Sequence, residues 1–350
     1  MRIALTAFTR RGGALARELF RALGEEGHIC SLACPRRLEE ALAFPETYER
    51  VGDWAGARFA DADALLFVGA SGIAVRAIAP YVRDKLTDPA VVSVDEAGRF
   101  AVPLLSGHVG GANDLARRVA ALTGGEAAVS TATDVNGRFA VDQWAREQGF
   151  CLEGREAAKA ISAALLAGET VGLSSDFPIQ GPLPEGVVRE DRPLGFAVTL
   201  DEAKAPFGQT LRLIPRILTL GIGCRRGTPA EAIARAVDAV LAEHRLSPKG
   251  VKQAATIDLK KDEPGLLAFC QDRGLPLRCY PAEELAGLPG DFTPSAFVQG
   301  VTGVDNVCER SAVRAGGELL IPKQAGGGVT VAVSQAPLTL CFTRSEGEML

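Results

Sequence analysis

Short apolar runs that end in glycine- or serine-rich junctions, then resume as amphipathic stretches, recur along this chain and restrict its fold more than any other feature. A buried strand produces the first pattern and a helix laid on its sheet the second, so the alternation predicts an α/β fold of sheets covered by helices. Residues 3–8 read as the first strand. Residues 13–23 then place Leu15, Leu19, Ala22 and Leu23 on one helical face, with Gly27 as the stop. A second buried run at 64–68 leads into Gly69-Ala70-Ser71-Gly72 and a helical stretch over 73–81. Apolar runs at 91–94 and 100–105 follow, the latter feeding Ser106-Gly107-His108-Val109-Gly110-Gly111-Ala112-Asn113-Asp114 and a helix over 115–122. A short strand at 129–131 and a helix at 139–148 complete this part.

Residues 150–215 have a different texture. A helix over 157–166 and a strand over 171–174 lead into 177–184, where three prolines and a glycine preclude regular helix. The alternation restarts with a strand at 216–221. Thr228-Pro229-Ala230-Glu231 combines an N-cap, a first-turn proline and a capping-box acid ahead of the stripe Ile233, Val237, Val240 and Leu241. Strands at 254–259 and 275–280, helices at 265–271 and 304–313, and apolar runs at 319–321 and 329–333 continue the pattern. Alternation in the first of these strands places Thr256, Asp258 and Lys260 on one face. The organisation expected is an N-terminal α/β domain over 1–148, a smaller middle domain over 149–215 and a C-terminal α/β domain over 216–350, the two outer ones sandwich-like. At about 150 residues per domain, the length fits two or three such units.

Composition narrows the partners. A formal charge of -5, from 38 basic and 43 acidic residues, argues against a polyanion-binding surface. Two Trp and three Tyr leave few platforms for base stacking. A small-molecule ligand is therefore expected, without nucleic acid. Eight cysteines with no Cys-x-x-Cys pair read as reduced thiols, and no segment approaches the roughly 18 consecutive apolar residues of a membrane span. The expected location is the cytoplasm, without membrane attachment.

Small residues gather where strands feed helices, at 69–72, 106–113, 221–224 and 300–303. There a ligand can approach the backbone, and helix N-terminal amides can receive an anion. The alternative is that these glycines only make tight turns. Neither a phosphate-binding loop nor a complete dinucleotide fingerprint is present, and a Gly-x-Ser-x-Gly elbow is missing. His108 lies inside one junction and suits proton transfer near neutral pH; a helix-entry hydrogen bond is its plainer role. Asp95-Glu96 follows a strand where a carboxylate can face a cleft, or can simply be solvated surface. Three separated histidines offer no metal-ligand spacing, so no metal site is expected.

Taken together, Phe67-Val68-Gly69-Ala70-Ser71-Gly72-Ile73-Ala74-Val75-Arg76, Asp84-Lys85, Leu104-Leu105-Ser106-Gly107-His108, Gly110-Gly111-Ala112-Asn113 and Thr131-Ala132-Thr133-Asp134 resemble the cobalt-precorrin-5A hydrolase family of anaerobic cobalamin biosynthesis. The likeness continues through Gly221-Ile222-Gly223-Cys224-Arg225, Thr256-Ile257-Asp258-Leu259-Lys260, Thr302-Gly303-Val304, Asn306-Val307-Cys308-Glu309 and Lys323. It spans nearly the whole chain and is weakest over 150–215. The resemblance implies two α/β domains around a loosely constrained middle, and a reaction: opening of the δ-lactone of a ring-contracted cobalt tetrapyrrole, loss of acetaldehyde, and formation of cobalt-precorrin-5B. The cobalt is carried by the substrate, so no cofactor is expected.

Within that reading, His108 is the expected water-activating base, with Asp95 or Glu96 orienting it or replacing it. Amides near Gly107 and Gly110 are expected to hold the oxyanion. The expected substrate-binding set is Gly69, Ser71, Gly72, Arg76, Lys85, Ser106, Gly107, Gly110, Gly111, Asn113, Thr131, Thr133, Gly223, Lys260, Thr302 and Lys323, in which the cations clamp peripheral carboxylates. The competing reading is a non-catalytic carrier of corrinoid intermediates. Transient contact with other enzymes of the pathway, and self-association, stay open.

Overall fold

The computed structural model describes residues 1–84, 87–107, 110–131 and 137–342. They fall into two compact units, Met1–Gln143 and Trp144–Leu350.

The first unit is built on a seven-stranded sheet of order β3-β2-β1-β4-β5-β6-β7, comprising β1 Arg2–Ala7, β2 Ile29–Pro35, β3 Glu46–Tyr48, β4 Ala64–Val68, β5 Ala90–Val94, β6 Phe100–Leu105 and β7 Glu126–Ala127. The strands from β3 through β5 are parallel. Alternate residues feed two cores: Ile3, Leu5, Leu66 and Val68 face one side, Ala4, Leu65 and Phe67 the other. Burial on both faces explains why β4 and β5 read as continuous apolar runs.

The helix Arg10–Glu25 follows β1, with Thr9 accepting from the Gly12 amide at 3.0 Å as its N-cap. Its other end closes as expected at Gly27, whose φ of +86° lets the His28 amide reach the Leu23 carbonyl at 3.1 Å. The connection 95–99 is too short for a crossover, so β6 turns back antiparallel to β5. The strand expected at 129–131 does not form; pairing at that edge is confined to β7.

The second unit holds two five-stranded sheets. One has the order β11-β9-β12-β13-β8, from β8 Phe150–Glu153, β9 Val171–Ser175, β11 Val187–Val188, β12 Leu194–Val198 and β13 Gln209–Pro215, with β8 antiparallel to β13. The proline-rich 177–184 contributes β10 Ile179–Gln180, which pairs with β19 Leu340–Cys341. The Trp144 indole donates to the Cys341 carbonyl at 2.9 Å and stacks on Phe342 at 4.5 Å. The end of the described chain thus completes the aromatic core of this sheet.

The other sheet has the order β16-β15-β14-β18-β17, from β14 Leu218–Cys224, β15 Val251–Ile257, β16 Leu277–Tyr280, β17 Glu318–Gly326 and β18 Val329–Gln335. The helix Cys308–Gly316 lies so close to β14 that a Cβ on Gly221 would stand 1.8 Å from the Cys308 carbonyl oxygen.

Three local expectations change here. Pro229, not Thr228, caps the helix Ala230–Glu243, because the Thr228 hydroxyl donates to the Arg225 carbonyl at 2.7 Å instead. β15 stops at Ile257 and Asp258–Lys260 is a 3-10 turn, so Asp258 and Lys260 do not extend the face of Thr256. The helix expected at 304–313 starts later, as Cys308–Gly316, and is preceded by a helix not expected from the sequence, Ala296–Thr302, closed by Gly303 at φ +76°.

Candidate functional site

In the first sheet the chain moves outward from β1 in one direction through β2 and β3, then returns to β4 and β5 on the other side. Ligands of such open sheets lie beyond the strand C-termini at this reversal. The residues there are the small and polar ones of the first junction. Ser93 donates to the Gly69 carbonyl at 3.0 Å and receives the Ser71 hydroxyl at 3.2 Å, tying the ends of β4 and β5 together. Thr9 donates to Glu96 at 2.6 Å from the start of the neighbouring helix. The Arg76 guanidinium folds back over the first turn of the helix Ser71–Ile78, 3.6 Å from where a Gly72 Cβ would be. Among the described residues no carboxylate pairs with it. A cation, an uncapped helix N-terminus and hydroxyls at one strand edge are suited to a carboxylate-bearing ligand.

Asp95 is committed elsewhere. Burial alone would raise its carboxyl pKa, but hydrogen bonds from the amides of Phe100 at 2.8 Å and Ala97 at 2.9 Å, with Arg99 nearby, hold it below the usual range. It is the closing residue of the β5–β6 hairpin. Glu96, beside Thr9, faces the reversal.

The junction that follows β6 lies at the opposite edge. Because β6 runs antiparallel, Leu105 pairs with Val91 near the start of β5, and a Cβ on Gly110 would be 3.4 Å from the Ala90 amide nitrogen. Gly107 and Gly110 are therefore separated from Asp95 and Glu96 by the length of β5, roughly 16 Å at strand rise. His108, Lys85 and Thr133 lie outside the described residues. The hairpin sends Glu96 and the described residues of the second junction to opposite ends of β5, and the expected partnership of Asp95 or Glu96 with His108 falls on a residue outside those described. The signal was in the sequence, since a connection as short as 95–99 forces an antiparallel pair. Within the second junction, Asn113 is buried and donates to Thr131 at 3.0 Å, and the helix Ala112–Thr123 starts from Gly111 at φ +85° without a side-chain cap.

In the second unit, β14 and β15 end at a further mouth. A Cβ on Gly223 would stand 2.5 Å from the Thr330 hydroxyl and would have to displace it. Lys260 meets the buried Glu263 at 3.0 Å, and Glu263 also accepts from the Gly227 amide at 2.6 Å. The Lys260 hydrogen bond holds the Glu263 carboxyl low against the opposing effect of burial. Burial pushes the nearby Cys224 thiol up, which leaves it a poor nucleophile. The Thr302 hydroxyl is spent on the carbonyls of Val298 and Val304 at 2.8 and 3.1 Å, closing the helix end. Lys323 sits in a bulge of β17, where the register slips between Ile321 and Gln324, and its amide donates to Glu309 at 2.6 Å.

Thr9 and Glu263 were not singled out from the sequence as site residues. The one precedes a helix and the other a proline-led helix, both N-cap positions. Among the described residues no group of three or more His, Cys, Asp or Glu side chains is placed to hold a metal ion. None of their helices is long and apolar enough to cross a membrane.

The fold defines an α/β protein with glycine-lined mouths at its strand ends. Residues 53–134 match the family described as Cobalamin synthesis G N-terminal, 139–215 that described as Cobalamin biosynthesis central region, and 218–334 that described as Cobalamin synthesis G C-terminus. The chain is 34% identical over 348 residues to a protein of Salmonella typhimurium named cobalt-precorrin-5A hydrolase, covering 95% of this chain and 97% of that one. A Priestia megaterium protein of the same name is 33% identical over 78% of each chain. Protein CobE of a Sinorhizobium species is 34% identical over 127 residues, 35% of this chain and 82% of its own. The chain belongs to the cobalamin synthesis G family, and its role lies in cobalamin biosynthesis.

Proposed function

We propose that this chain is a hydrolase that opens the δ-lactone of cobalt-precorrin-5A and releases acetaldehyde, leaving cobalt-precorrin-5B. The observation that carries the reading is the end-to-end match to the Salmonella typhimurium relative, which covers 97% of that protein as well as 95% of this chain. The match therefore runs through both α/β parts of the chain.

Lactone opening needs an activated water, donors for the tetrahedral oxyanion and proton delivery to the departing fragment. His108 is assigned the water-activating role on its chemistry and its position in the junction. Arg76 is assigned to the substrate's peripheral carboxylates, and Lys85 is assigned the same task. Small residues at the mouths admit the macrocycle edge to the backbone. The substrate brings its own cobalt, and the reading assigns the protein no resident metal.

Anaerobic incubation of the purified chain with cobalt-precorrin-5A tests this. Acetaldehyde together with a lighter macrocycle is the expected result. A bound macrocycle of unchanged mass would establish a carrier instead, and a gain of one methyl group a methyltransferase.

A further inference from the structure

We infer that Arg225 and Arg226 are the carboxylate-binding pair of the second unit, an inference that rests on the tetrapyrrole reading above. The two arginines stand in the turn between β14 and the helix Ala230–Glu243. Both are exposed, and among the described residues neither has a carboxylate partner. β14 and β15 run parallel, and the register that sets Gly221 opposite Ala255 brings their C-terminal ends level, about 5 Å apart at strand spacing. Lys260, in the turn after β15, is the cation expected there from the sequence, but it is spent on Glu263. The arginine turn is the part of this mouth whose charge is still available.

That turn is held from three sides. The Arg225 amide donates to the Gly328 carbonyl at 3.1 Å, across to the β17–β18 hairpin. The Arg225 carbonyl accepts the Thr228 hydroxyl at 2.7 Å, and the Gly227 amide donates to Glu263 at 2.6 Å. Glu263 is only 7% exposed, and Lys260 meets it at 3.0 Å. The buried ion pair therefore fixes the turn and leaves its two arginines unneutralised.

The Arg225 side chain is braced as well. Gly328 has a φ of +82°, and a Cβ there would stand 3.1 Å from the Arg225 Cδ and 3.4 Å from its Nε. The stem thus lies along the bare backbone of the hairpin tip. An arginine that clamps an anion normally loses rotamer entropy, and a stem already packed loses less. Beside the pair, Leu259 is 64% exposed in the turn that follows β15. Two planar forks next to an exposed leucine suit a ligand that carries several carboxylates on an apolar ring.

The test titrates the full chain with cobyrinic acid, a corrin polycarboxylate, and with its fully methyl-esterified form, following the corrin absorbance. R225Q/R226Q, which keeps part of both stems, is expected to melt as the wild type does and to raise the Kd for the acid about 30-fold or more. R226Q alone, away from the Gly328 contact, should raise it about fivefold. R235Q removes an exposed arginine of the helix Ala230–Glu243 that has no ion pair among the described residues, and as the control for net charge it should stay within about twofold of the wild type. The wild type should bind the ester at least about tenfold more weakly than the acid, and that gap should narrow in R225Q/R226Q. The pair is overturned by a double variant within about threefold of the wild type, by an equal loss in R235Q, by an ester that binds as tightly as the acid, or by a wild type that binds neither. A wild type that binds the acid through the two arginines but releases no acetaldehyde from cobalt-precorrin-5A overturns the hydrolase reading and leaves the pair standing.

Discussion

The backbone amide of Lys323 donates a 2.6 Å hydrogen bond to Oε1 of Glu309, a carboxylate with no solvent exposure at all. The same oxygen takes the Thr293 hydroxyl at 2.8 Å, while Oε2 takes the Thr293 amide at 2.7 Å and the Asn306 side-chain amide at 2.8 Å. A buried carboxyl group is accommodated here because four donors replace its water. The Asn306-Val307-Cys308-Glu309 segment is thus a knot that fixes the bulge of β17 and the start of the helix Cys308–Gly316. E309Q turns a donor toward a donor, so it should lower stability by about 2–5 kcal/mol in urea titration. A loss below about 0.5 kcal/mol would mean that the knot is not held by its charge.

The Lys260–Glu263 pair predicts a pH-dependent defect. The Glu263 carboxyl is held below its ordinary value, so its contribution is present above the ordinary carboxylate range, about pH 4.3, and is lost as pH falls through the lowered folded value. K260M should therefore cost about 1.5–3 kcal/mol at pH 7. That difference from the wild type should shrink as the pH is taken below 4 in urea titrations, and a pH-independent difference would remove the ion pair as its cause.

Gly221 is the tightest approach to a neighbouring backbone among the described glycines, at 1.8 Å from the Cys308 oxygen for an added Cβ. G221A has no side chain to displace and must push a helix away from β14, at a cost of about 3 kcal/mol or more. G300A, with nothing within 4 Å of its added Cβ, is the control and should be neutral or stabilising by up to about 1 kcal/mol. Thermal melts of the two variants would separate close approach from a general intolerance of alanine.

Arg76 is exposed and carries no ion pair among the described residues, so R76A should fold normally. Loss of a charge-assisted contact should raise KM for the tetrapyrrole about tenfold or more, with less effect at high salt. R76K should recover only part of this, because an ammonium cannot reproduce the planar fork. An unchanged KM in R76A would take Arg76 out of substrate binding.

H108A should lower turnover about 10²–10⁴-fold while leaving the circular dichroism spectrum unchanged. A normally folded H108A protein with wild-type acetaldehyde release would move the base to another residue, and Glu96 would be the next to replace.

Much of the local structure was legible in the sequence. Residues 64–68 become β4 without a shift, the glycine stop at Gly27 closes its helix, and the stripe Ile233, Val237, Val240 and Leu241 is the buried face of Ala230–Glu243. Such features depend on neighbours within a turn or two of chain, where periodicity and capping chemistry operate. Thr228 shows the limit. Its hydroxyl had two acceptable partners within reach, and the Arg225 carbonyl won over the helix amides.

What the sequence determined by itself was the alternation of strands and helices and the motifs that mark the family. Only the tertiary structure decided which mouths face the same way. A strand's apolar pattern reads the same whichever direction it runs beside its neighbour, so nothing inside residues 100–105 says that Ser106 emerges at the opposite edge from Glu96. That is settled by the β5–β6 hairpin, where hydrogen bonding to β5 sets the direction of β6. Glu309 makes the same point in the second unit: its four donors come from Thr293, Asn306 and Lys323, brought together only when β17 bulges against the helix Cys308–Gly316.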